Sequence, residues 1–232
     1  VIAPHGQVRG EFWRQALAVA RRDLTIEGRA GEALSVVVPF AAVAVFVVPL
    51  AADALSRELS DLAFPVFWLV ALLFGMQIAL RNTATESPTQ RRVLALAGLD
   101  PAARFTGRSL AATLLTLALL AVTAPLVVLF YDPAPIPRAW VMAPVLTLFA
   151  AGLSMLATLA GDVTVGLRTR SALAPLLVAP LAVPLLVGAA QTLEALVHGR
   201  STLTWLLLLV VDDVVLAATG VAAAQPLEDA TT

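Results

Sequence analysis

Apolar runs of about twenty residues, separated by polar stretches, set the pattern of this chain. Residues 33–52, 62–80, 109–131, 139–161 and 171–193 contain no charged side chain, and 201–224 contains only Asp212 and Asp213. At about 1.5 Å of rise per residue, each run is long enough to cross about 30 Å of hydrocarbon. Six transmembrane helices are therefore predicted, in an all-α polytopic membrane protein that forms one transmembrane domain over 1–232. Residues 9–32 are too charged to span. Trp13, Leu17, Ala20 and Leu24 recur there on one helical face, with Arg14, Arg22 and Thr25 on the other. This predicts an amphipathic elbow helix lying in the membrane interface ahead of the first span. It does not read as a signal peptide, because no short apolar core with a cleavage site follows.

The longest polar interruption between spans is 81–108. Ser87, Pro88 and Gln90 supply an N-cap, a first-turn proline and a capping-box partner, so a short helix is expected from Pro88 to about Gly98. Asp100 and Pro101 repeat the signal and open a second helix, running through Arg104 towards the third span. Val93, Leu94, Leu96 and Ala97 share one side of the first helix, flanked by Arg91 and Arg92. Such a helix suits either the bilayer surface or a groove on a soluble partner.

Prolines mark two other places. Three lie within 132–138 and predict a tight connection between the third and fourth spans. Pro175, Pro180 and Pro184 remove backbone donors inside the fifth span, which should be kinked or locally unwound and held by its neighbours.

The arginines give the orientation. Five precede the first span, five lie in 81–108, and Arg168 and Arg170 follow the fourth span; only Arg57, Arg138 and Arg200 fall on the other side. A twelve-to-three split places the 81–108 segment, the fourth-to-fifth turn and both termini in the cytoplasm.

Composition narrows the chemistry. The chain has 232 residues, 59% hydrophobic and 13% charged, with a mean hydropathy of +0.89. Cysteine is absent, so disulfides, thiolate zinc sites and iron–sulfur clusters are excluded. All fifteen basic residues are arginine, which leaves no lysine for a phosphate-binding loop of an ATPase. A net charge of -1 argues against a nucleic-acid partner.

Asp212 and Asp213 are the sharpest anomaly, because a charged aspartate at a helix centre costs about 2.5–3.5 kcal/mol on insertion. Two readings stay open: they face a polar cavity, proton path or partner helix, or they hydrogen-bond inside the bundle. His5 and His198 are predicted on opposite sides of the membrane and cannot share a metal within one chain. His198 reads as a surface residue of the short turn after the fifth span. Asp162 and Arg168 flank the fourth-to-fifth cytoplasmic turn and are expected to pair as a structural clamp. No Ser-His-Asp arrangement, catalytic carboxylate pair or metal-ligand cluster can be assembled, and no bound cofactor is expected.

Two stretches resemble a known family. Arg21, Arg22, Asp23, Leu24, Thr25, Ile26 and Glu27, followed by Arg29 and Glu32, lead into the first span. Thr164, Val165, Gly166, Leu167 and Arg168, followed by Leu173, Pro175, Leu176, Leu177, Pro180 and Pro184, lead into the fifth. Both are similar to segments of the CcmB-type haem-exporter permease, a subunit of the cytochrome c maturation ABC transporter. The resemblance implies a homodimeric permease without its own ATPase site. It further implies docking on a separate ATP-binding cassette subunit that carries the ATP, with haem as the handled substrate. Other cytochrome c maturation membrane proteins and membrane lipid are the remaining implied partners. Glu86, Arg91, Arg92, Val93, Leu94 and Leu96 then become the expected ATPase-docking residues of a coupling loop. Two other readings are an ABC-type export permease for a lipid or drug, and a nucleotide-independent proton-coupled carrier.

Overall fold

A computed structural model describes residues 5–31, 33–51, 56–84, 96, 98–133, 135–136, 139–164 and 170–229, and no strand occurs among them. Helix α1 spans His5–Ala30. Gly31 ends it with a φ of +62°, a left-handed conformation that glycine adopts without steric cost. One turn of wider π-helix, Ala33–Val37, leads into α2 (Val38–Ala51). Helix α3 runs over Ser56–Ala84 and α4 over Pro101–Tyr131. A short 3-10 turn at Ala139–Val141 precedes α5 (Met142–Val163). Helices α6 (Arg170–Leu181) and α7 (Val183–Val197) follow, and α8 (Leu203–Asp229) closes the chain.

Five of these helices are long and apolar enough to cross a membrane, and the bent pair α6–α7 passes the same test taken together, which gives up to six. The bend is 43° and falls at Ala182, between Pro180 and Pro184. Pro184 lies in the first turn of α7, where a missing N–H costs least, so one apolar run becomes two helical pieces. Helix α3 begins at Ser56, ahead of the apolar run 62–80.

Helix α4 is the centre of the bundle and touches α1, α2, α3, α5 and α8. Between helices in lipid the hydrophobic effect supplies little, so close packing of small residues and polar contacts must hold them. The buried faces show both. Ala111 and Ala112 of α4 and Ala150, Gly152, Ala157 and Gly161 of α5 are all buried. At one end of the bundle the Tyr131 hydroxyl donates to the Val45 carbonyl at 2.8 Å, and the Ser60 hydroxyl to the Asp132 carbonyl at 3.1 Å. Outside, Leu50, Leu129, Leu176, Leu203 and Val214 are exposed, the apolar surface expected of a lipid-facing wall.

Candidate functional site

The site of interest lies at the end of the bundle where the 81–108 segment joins α4. Gly98 takes a φ of +77°. Two residues later Asp100 caps α4: its carboxylate accepts from the Ala102 N–H at 2.9 Å, and Pro101 occupies the first turn. The cap-then-proline signal in the sequence thus forms the start of one continuous helix, which carries both Arg104 and Arg108. Both arginines are buried, Arg108 to 2% exposure. Arg108 Nη1 lies 3.5 Å from Asp162 Oδ1 near the end of α5. Asp162 was expected to pair with Arg168, which lies outside the described residues. Its described partner comes from the preceding span, because the end of α5 packs beside the first turns of α4.

Helix α1 rests on this same end. Its buried face is Ala16, Val19 and Ala20, whereas Trp13 and Leu17 are more than half exposed. Of the sequence stripe, Ala20 thus meets the bundle while Trp13 and Leu17 remain exposed. The cause is Gly107 of α4: a Cβ there would collide with the Ala16 carbonyl and the Val19 side chain. The two backbones approach so closely that only small residues fit at the crossing. A hydrogen bond from the Asp100 N–H to Gln15 Oε1, 3.0 Å long, ties α1 to the start of α4.

Of the expected docking residues, Glu86, Arg91, Arg92, Val93 and Leu94 lie outside the described residues. Leu96 is helical and 89% exposed. It presents an apolar side chain to whatever lies beyond the bundle.

Asp212 and Asp213 sit elsewhere, inside α8. Asp213 is buried, and its carboxylate lies against Gly152 of α5 beside Leu185 of α7, where a side chain at 152 would collide with it. Asp212 is half-buried. Asp212 Oδ2 and Asp213 Oδ1 are shielded from solvent and have no hydrogen-bond partner among the described residues. The acids thus point one into the bundle and one to its flank, and they do not meet Asp162. Among the described residues no group of three or more metal-ligating side chains forms.

With this geometry in place, the comparisons with known proteins decide the family. The family described as CcmB protein matches residues 14–229. The chain belongs to the CcmB family. It is also similar to heme exporter protein B of Rhodobacter capsulatus, with 32% identity over 184 residues that cover 78% of this chain and 84% of the relative. The match takes in α1 from Arg14 onwards, so the helix crossing at Gly107 and the Arg108–Asp162 pair both lie within the family region of this CcmB protein.

Proposed function

We propose that this chain is the membrane permease subunit of an ATP-driven haem exporter serving cytochrome c maturation. In this reading it is embedded in the bacterial inner membrane and has no ATPase site of its own. The observation that carries the reading is the family match over 14–229 on a chain with five or six spanning helices. The absence of lysine agrees with ATP being bound on a separate subunit. In the proposed assembly two copies of the chain each receive an ATP-binding subunit on the 81–108 segment. Glu86, Arg91, Arg92, Val93, Leu94 and the outward Leu96 form the contact. Asp100, α4 and the Arg108–Asp162 pair carry a displacement of that segment into the bundle. Helix α1 lies along the inner leaflet with Trp13 at the interface, and other cytochrome c maturation membrane proteins bind alongside.

Two measurements test this. A deletion strain should lose covalent haem staining of its c-type cytochromes while keeping b-type cytochromes. Normal c-type staining, accompanied by a lipid or drug phenotype, would move the chain to an export permease for another substrate. Orientation is read by thiol labelling, which the absence of cysteine makes clean. In sealed right-side-out vesicles a membrane-impermeant maleimide should react with an Arg200→Cys variant and spare an Arg91→Cys variant. The reverse pattern would invert the topology.

A further inference from the structure

We propose that the pocket between α3 and α7 is a haem-binding site with His198 as an axial ligand. This deepens the functional reading above and rests on it for the choice of haem. The pocket has a volume of about 620 Å³ and is walled chiefly by Phe64 and Trp68 of α3 and Leu186 and Leu193 of α7, with Glu194 and His198 at its polar edge. That size falls within the roughly 300–1,000 Å³ of small-molecule and cofactor sites. It lies at the end of the bundle away from the 81–108 segment. Helix α3 starts there, and α7 ends there at His198. In the proposed topology this is the extracytoplasmic end, where an exported ligand would be handed on.

Apolar walls alone would also take an acyl chain; the edge residues select the ligand. His198 Nδ1 lies 2.9 Å from the Glu194 carbonyl oxygen. A carbonyl can only accept, so Nδ1 carries the proton and donates, and the lone pair is on Nε2. Nε2 has no hydrogen-bond partner among the described residues. An imidazole whose other nitrogen is fixed by a backbone carbonyl is the arrangement that metal-ligating histidines use. Iron of a porphyrin is held by such a nitrogen. Arg200 Nη2 lies 3.1 Å from Glu194 Oε1, so the carboxylate at the rim is paired with a guanidinium rather than set bare against the haem propionates. Phe64 and Trp68 offer aromatic surface to the macrocycle. His198 does stand exposed in the turn after α7, as the sequence indicated; only its neighbours in the pocket, Phe64 and Trp68, had no sequence signal, being more than 120 residues away in the chain.

The test uses the full chain in phosphatidylcholine–phosphatidylglycerol nanodiscs titrated with haemin, followed by the Soret band and by electron paramagnetic resonance. The chain has two histidines, so the ligand can be assigned directly. The wild type and a His5→Ala variant should both give an imidazole-ligated ferric haem spectrum. His198→Ala should lose that signature and bind haemin about tenfold or more weaker. Added imidazole should restore the spectrum in His198→Gly. Ala190→Trp, which fills the pocket from α7, should weaken binding with His198 intact. Equal uptake by empty nanodiscs, or an unchanged spectrum in His198→Ala, would overturn the site and leave the pocket to lipid or protein. If haemin fails to bind while the deletion strain still loses c-type haem, the pocket assignment falls and the exporter reading stands.

Discussion

Replacing Arg108 by alanine is expected to lower stability, by up to about 3–5 kcal/mol, because it takes a counter-ion away from the buried Asp162 carboxylate. The pair has 2% and 9% side-chain exposure at an N–O distance of 3.5 Å, so solvent cannot take the place of the missing partner. Asp162→Ala should be about as damaging, for the mirrored reason. The double change Arg108→Met with Asp162→Leu removes both charges, and should melt above either single variant. Thermal unfolding of the four proteins in the same mild detergent checks this. A single variant that melts like the wild type would contradict the buried pair. The consequence for function is mechanical. Asp100 caps α4 at the exit of the 81–108 segment, and two turns later Arg108 engages α5, so a loosened pair should uncouple the segment from the spans and lower c-type cytochrome yield.

Gly107→Leu should separate α1 from α4. A Cβ at this position meets the Ala16 backbone carbonyl, which cannot rotate away as a flexible side chain can. Overpacking of a tight contact costs about 1–3 kcal/mol, and a clash with backbone belongs at the upper end. The released helix would uncover Ala16, Val19 and Ala20, so limited proteolysis should cut within α1 faster than in the wild type while α2 to α8 remain protected. Unchanged cleavage would mean that the crossing tolerates a side chain and that α1 is held by other contacts. Ala16→Leu, which enlarges the same crossing from the opposite side, should give the same pattern.

What the sequence made legible follows from how local each signal is. The six apolar runs, the Asp100–Pro101 cap and the proline break in the fifth span depend on residues within one or two turns, and each appears as a helix, a cap or a bend. The buried face of α1 was not legible, because it is chosen by Gly107, some ninety residues further on. Amphipathicity marks Trp13 and Leu17 for the membrane interface and does not say which side of α1 meets α4; that side is Ala16, Val19 and Ala20, where the two backbones cross closely. That Asp162 meets Arg108 was not legible either, because the two stand on different spans and come together only where α5 packs on α4. Arg104 and Arg108 counted as loop cations in the charge asymmetry, whereas burial makes them part of the bundle. Asp212 and Asp213 stood out in the sequence as costly, but only the fold separates them, with Asp213 seated against Gly152 and Asp212 half-buried. The α3–α7 pocket was invisible because its walls come from distant spans.

The central claim is that the energy for this permease comes from a separate ATP-binding subunit acting through the 81–108 segment. Purification from native membranes in mild detergent tests it most directly, comparing the wild type with an Arg91→Glu, Arg92→Glu double variant at equal membrane insertion. The account predicts that an ATP-binding subunit co-purifies with the wild type and is lost from the charge-reversed protein. Recovery of that subunit in equal amounts with both proteins would contradict docking through this segment, and its absence from both would contradict the ATP-driven reading itself.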